Sequence, residues 1–356
     1  MDRNIQKMKK IISILIATLM FVGCSDGKKT LHVYSWADYI DQTVLTDFER
    51  DFNCHVCIDT FDSNESMIAK LRAGAEGYDI CIPSSYMVDQ MAQDNMIAPI
   101  DKNIISNVIN NFDHSFDSQI IDPNLSYSVP FAVTYAGLMC LTNKIKGTEL
   151  SWDIFSDTSL NQKMSFLDDI RETIGIGLMY NGFSINSENK DEIEVAINTI
   201  LKWRKNIRKF DAESYKTEVA NKSLYVGHGY SSDAFQVILG DDETLGRDDI
   251  CFILPKEGFS IAWDEMVIMK KSENKELAYN FINFMYKKEN ALKNMIHNIS
   301  PVPHRFAISE LPDNLKKTII LDRETSKKGQ VIKRFKNKET IDLYNLAWDR
   351  IKASLK

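Results

Sequence analysis

The sequence predicts an α/β protein of two lobes, each a mainly parallel sheet flanked by helices and joined to the other by hinge strands. Three observations carry that prediction. Short apolar runs alternate with helical patterns from Leu31 onward, the βαβα order that yields a parallel sheet covered by helices. Of 356 residues, roughly 330 remain after an N-terminal export segment, right for two units of about 100 to 200 residues each. Between the two sets of elements, the extended run Ser128 to Tyr135, carrying Pro130, reads as a hinge strand.

In chain order, Leu31 to Tyr34 reads as a strand, Thr43 to Phe52 as a helix and Val56 to Phe61 as a second strand. Ser66 to Ala73 places Met67, Ile68 and Leu71 on one helical face, Tyr78 to Ile82 is a mostly apolar strand, and Tyr86 to Met96 is another helix. After an Asn- and Pro-rich stretch and the hinge run, Gly137 to Thr142 opens a new set of elements. It continues with the strand Met164 to Leu167, a helix from Glu192 to Ile207 and the strand Ile250 to Leu254. Ala262 to Met269 is a further strand, followed by the helices Leu277 to Tyr286 and Ile341 to Leu355. These elements divide into a first lobe of residues 31–132 and 264–307 and a second of 133–263 and 308–356. Trp203, in mid-helix beside Ile200 and Leu201, is a packing residue.

The N-terminus carries Arg3, Lys7, Lys9 and Lys10, then the apolar run Ile11 to Val22, then Gly23 and Cys24. This is the order of a signal peptide over residues 1–23, and the run is too short to span a bilayer, which takes about 20 apolar residues. The junction Phe21-Val22-Gly23-Cys24 resembles a bacterial lipobox, with Phe21 where Leu is usual. It implies a lipoprotein anchored to the membrane through Cys24, with 24–30 as linker; ordinary signal cleavage beside an incidental cysteine is the alternative.

A net charge of -7 without a basic stripe argues against nucleic acid as partner and is compatible with a cationic ligand. Cys54 and Cys57 resemble a CxxC motif, but in an alternating strand their odd separation puts the thiols on opposite faces. They and Cys81, Cys140 and Cys251 read as small buried hydrophobes. The six histidines form no metal-ligand spacing, and neither metal nor cofactor is expected.

Parallel sheets bind ligands beyond the carboxyl ends of their strands. Several loops in that position set aromatics beside small polar or acidic groups: Tyr34-Ser35-Trp36-Ala37-Asp38-Tyr39, Pro83-Ser84-Ser85-Tyr86, Leu167-Asp168-Asp169-Ile170-Arg171-Glu172 and Ala262-Trp263-Asp264-Glu265. Carboxylates hold ammonium groups by charge-assisted hydrogen bonds, and aromatic faces attract cations and cover methylene chains. A slot with acids at its ends and aromatics along its sides fits a linear polyamine.

The order and spacing of three segments, two of which contain these loops, resemble the spermidine/putrescine-binding periplasmic proteins. Tyr34 to Tyr39 resembles that family's Tyr-Asn-Trp-x-x-Tyr, Phe61 to Leu71 its Ser-Asn-Glu segment, and Tyr78 to Tyr86 its Tyr-Asp-x-x-x-Pro-Ser-x-Tyr. The resemblance implies a type II periplasmic binding-protein fold and a periplasmic, lipid-anchored receptor that delivers a polyamine to an ABC permease and its ATPase. It implies that Trp36, Tyr39 and Tyr86 line the slot, that Ser84 offers a polar contact, and that Asp169, Glu172 and Asp264 hold amines. Tyr230 stands where spermidine binders place a Trp. Ala262 and Ser300 replace family aromatics, and Ile332 falls near a family Gln with Gln330 as substitute. Asp38 stands where many members have Glu and is not assigned to the ligand; Glu65 is read as structural, at a helix start. Three alternatives stay open: a receptor of the same fold for another solute, a sensor without transport, and an enzyme using paired carboxylates.

Overall fold

The computed structural model describes residues 27–145, 150–240 and 247–353; the signal peptide and Cys24 lie outside them. The first strands, β1 (Lys29–Ser35) and β2 (Cys54–Thr60), are parallel and joined by the helix Gln42–Phe52. That helix starts where Asp41 accepts hydrogen bonds from the Thr43 and Val44 amides, filling two of the unpaired donors of a helix start. It ends at Asn53 in the left-handed conformation, which asparagine tolerates. Val44, Leu45 and Phe48 form its buried face. Ser63 caps the next helix, Asn64–Arg72, and the short β3 (Ile80–Cys81) pairs parallel with β1.

β4 spans Val129–Leu141 and is buried along its whole length. The predicted hinge run and the predicted strand Gly137 to Thr142 are thus one continuous strand. Its first half pairs antiparallel with β9 (Phe259–Ile268), with an irregularity between Pro130 and Ala132. Its second half pairs antiparallel with β7 (Val226–Tyr230) and β8 (Ile250–Ile253). β9 in turn pairs with β3, while β5 (Met164–Phe166) runs parallel to β7 and to β6 (Ile207–Phe210). The resulting order is β2-β1-β3-β9-β4-β7-β5-β6, with β10 (Gly329–Val331) parallel to β9. β4 and β9 are therefore shared between a parallel first group and a mixed second group.

Along the second half of β4 the side chains alternate between two cores. Leu138 and Cys140 pack with Trp152, Phe166 and Ile174, whereas Met139 and Leu141 pack with Leu167, Tyr215 and Ile250. A strand covered on both faces reads as a continuous apolar run. Leu311, Leu315 and Ile319 pack in one core with Phe131 and Ile268. The helix expected from Glu192 to Ile207 spans Lys190–Trp203 and includes the buried Trp203; a single turn, Arg204–Asn206, then leads into β6. Cys54, Cys81 and Cys140 are buried, Cys251 is partly so, and Cys57 is exposed rather than buried; all five are free thiols.

Candidate functional site

The loops that follow β1, β3, β5 and β7 converge on one cleft of about 300 Å³, at the small end of the range for small-molecule sites. All eight residues singled out in the sequence line it: Trp36, Tyr39, Ser84, Tyr86, Asp169, Glu172, Tyr230 and Asp264.

Asp264 lies on β9 opposite Ser84, with which it forms an isolated β-bridge. One carboxylate oxygen accepts from the Tyr39 hydroxyl at 2.6 Å and the other from the Ser84 hydroxyl at 2.7 Å. Ser84 is itself fixed by Asn64, whose amide donates to its hydroxyl and whose carbonyl accepts its backbone N–H, both at 3.0 Å. Burial raises the Asp264 pKa to about 6, against the pull of Tyr39, Ser84 and Trp36. The Trp36 indole N–H is turned towards this carboxylate yet buried without a hydrogen bond of normal geometry.

Across the cleft, Asp169 caps the helix Ile170–Tyr180, accepting from the Arg171 and Glu172 amides at 2.8 and 3.0 Å through one oxygen. Glu172, one turn in, is fully buried and accepts from the Ser260 hydroxyl at 2.6 and 2.7 Å. Burial first and the charge of Asp169 second push the Glu172 pKa up to about 8; Asp169 itself is raised by burial, opposed by its two amide bonds. Arg171 stands behind the two acids. Its guanidinium lies 3.8 Å from the Phe335 ring centre and 5.6 Å from that of Tyr86, and it donates to the Lys333 carbonyl at 3.0 Å. It is held in the wall as a cation–π partner.

Sequence reasoning missed three parts of this site. Glu65 starts a helix, as read, but it also accepts from the Tyr86 hydroxyl at 3.1 Å. Crowding by protein and the charge of Asp169 raise its pKa to about 7, although much of its surface is open to water, which weakens the first of these. Ser260, the partner of Glu172, carries no local signal. The third is the pair Lys216 and Asp233, both lining the cleft and joined at 2.7 Å. Gln330 does not substitute for a family Gln: its side-chain oxygen accepts from the Ile185 amide at 3.0 Å. Ala262 and Ile332 do line the cleft, while Ser300 is buried and donates to the Val133 carbonyl. Trp263, adjacent to Ala262, is fully buried, its ring against Phe116.

The Tyr230 wall depends on Gly229. A Cβ at Gly229 would sit 2.1 Å from the ring of the buried Tyr215, whose hydroxyl accepts the Tyr230 amide and donates to Asp233, both at 2.8 Å. Gly229→Ala is expected to displace that ring and destabilise the protein by about 3 kcal/mol, the upper range for overpacking. A thermal melt unchanged from the parent would refute the packing argument.

Residues 43–317 match the family described as bacterial extracellular solute-binding protein. The chain is 33% identical over 307 residues to a putrescine/cadaverine-binding protein of Pseudomonas aeruginosa, covering 83% of this chain and 85% of that one. It is 28% identical over 320 residues to a spermidine/putrescine-binding periplasmic protein of Escherichia coli, covering 88% and 90%. Among solved structures, a putative spermidine/putrescine ABC transporter protein from Listeria monocytogenes superposes with a TM-score of 0.83 at 28% identity, over 91% of this chain and 99% of that one. A lipoprotein of Treponema pallidum superposes with a TM-score of 0.80 at 28% identity, over 91% and 99%. The two-lobed architecture is the type II periplasmic binding-protein fold, and the carboxylate-enzyme alternative is set aside. The chain belongs to the bacterial extracellular solute-binding proteins, a family of receptors rather than enzymes.

Proposed function

We propose that this protein is the polyamine receptor of an ABC importer, holding a linear diamine or triamine between its lobes and delivering it to a membrane permease driven by an ATPase. The observation that carries this reading is the chemistry of the converging acids. Asp264 and Glu172 receive their hydrogen bonds from hydroxyls, not from cations, so each is left to pair, once ionised, with an ammonium group of a ligand. Trp36, Tyr39, Tyr86 and Tyr230 line the same cleft, supplying faces for methylene groups and for the ammonium ends.

An amino acid would need a cation for its carboxylate. Arg171 is already stacked in the wall, and Lys216 is paired with Asp233. A polycation satisfies the acids without leaving a ligand charge unmatched. In this reading Asp264 and Tyr39 hold one amine, Asp169 and Glu172 another, and Ser84 keeps Asp264 oriented. The ligand draws the walls together by rotation about β4 and β9, with the lobes dividing near residues 133 and 263.

Calorimetric titration of the protein, stripped of ligand by unfolding and refolding, tests the reading. Putrescine, cadaverine, spermidine or spermine is expected to bind saturably with a Kd of about 1 μM or tighter, equivalent to roughly 8 kcal/mol. Silence with all four from a folded protein would sink it. We also propose that the mature chain begins at a lipid-bearing Cys24 and is held at the membrane surface facing the periplasm. Cys24→Ala is expected to move the protein from the membrane fraction to the soluble one, and an unchanged distribution would refute the anchor.

A further inference from the structure

On the Tyr230 side of the cleft the molecule carries an acid that the polyamine reading does not use. Asp233 sits in the first turn of the helix Ser231–Leu239 and lines the cleft. One of its oxygens accepts from the hydroxyl of the fully buried Tyr215 at 2.8 Å, so it is oriented by the core rather than left to solvent. The other accepts from Lys216 Nζ at 2.7 Å, and the Lys216 and Asp233 side chains are only 31% and 20% exposed.

A lysine side chain is a butylammonium group. It has the four-methylene spacer and one terminal ammonium of putrescine, or of the longer arm of spermidine. An oriented carboxylate that already holds a butylammonium in the cleft wall has the chemistry of a subsite for the ligand's own end. Resting on the polyamine reading, we propose that Lys216 is a tethered occupant of that subsite and sets the length of amine admitted. With Lys216 on Asp233 the cleft takes a diamine across Asp264 and the Asp169–Glu172 pair; with the ammonium removed, Asp233 takes the third amine of a triamine. Lys216 also repels any additional cationic centre brought to that end, so one side chain both fills the subsite and discriminates against longer ligands.

The test compares putrescine and spermidine by calorimetry on the parent protein, Lys216→Met, Lys216→Gln, Lys216→Arg and the double variant Lys216→Met/Asp233→Asn. Both neutral variants are expected to raise the spermidine-to-putrescine affinity ratio by roughly tenfold, the effect of one additional charge-assisted hydrogen bond to spermidine. Lys216→Arg keeps the pair and is expected to keep the parental ratio, and the double variant is expected to return to it. An unchanged ratio in the neutral variants, or the same rise with Asp233 neutralised, overturns the proposal and leaves the polyamine reading intact. If the folded parent binds neither amine, the polyamine reading fails and takes the gauge with it.

Discussion

Asp264→Asn is expected to weaken polyamine binding by about 2 to 5 kcal/mol, the range for removing one partner of a buried, hydrogen-bonded charge pair. The substitution keeps the shape of the side chain. Its amide can satisfy only one of the two hydroxyl donors, Tyr39 and Ser84, as acceptor, and must turn an NH2 group towards the other. It also removes the negative charge from the floor of the cleft and leaves a desolvated ammonium unpaired. Calorimetry alongside a thermal melt separates lost affinity from lost folding. Parental affinity in a folded Asp264→Asn protein would remove Asp264 from the site.

The second large effect is on pH. With a pKa of about 8, Glu172 is mostly protonated at neutral pH when the cleft is free of ligand. A bound ammonium favours the carboxylate, so loading the cleft should expel a proton. Affinity is expected to climb about tenfold per pH unit between pH 6 and pH 8, the limit for one proton released. The amines, with pKa values near that of lysine, about 10.4, stay charged throughout. Binding enthalpy at pH 7 should then vary with the ionisation enthalpy of the buffer, and Glu172→Gln should reduce that variation. Buffer-independent heat with flat affinity from pH 6 to 8 would refute it.

The same groups predict the stability of the ligand-free protein. Glu172, Asp264 and Glu265 are raised by burial to about 8, 6 and 7, above the unfolded carboxylate values of about 3.9 to 4.3. The folded state therefore holds more protons than the unfolded chain between those values and pH 8, and stability falls as pH rises through that window. Polyamine should offset the loss, so the ligand-induced rise in Tm is expected to be larger at pH 8 than at pH 5.5.

Much of this was legible in the sequence because the informative signals are local. The alternation of apolar runs and helical patterns pointed to β1 to β3 and their helices, and the acids and aromatics stand in loops at strand ends. What was hidden depends on distant pairing. β6, with the charged Arg208 and Lys209 at its centre, follows a helix after a single turn and looks like that helix continuing. β10 is three residues long and owes its existence to β9. Ser260 matters only because Glu172, 88 positions away, faces it. The Lys216–Asp233 pair joins two separate helices, and Gln330 was misread because its distance from Ile332 in sequence says nothing about the Ile185 amide that it meets.

Three of the buried acids take their hydrogen bonds from hydroxyl groups: Asp264 from Tyr39 and Ser84, Glu172 from Ser260, and Glu265 from Ser85 and Ser128. A hydroxyl is a rotor that donates to a carboxylate and, turned, accepts from a carboxylic acid. The walls can accommodate either protonation state without moving a heavy atom. Loading and unloading the proposed receptor then exchange a proton for a cation at Glu172, and an acidic surrounding favours discharge of the cargo. A lysine or arginine in place of any of these hydroxyls would fix the acid in its charged form and end that exchange.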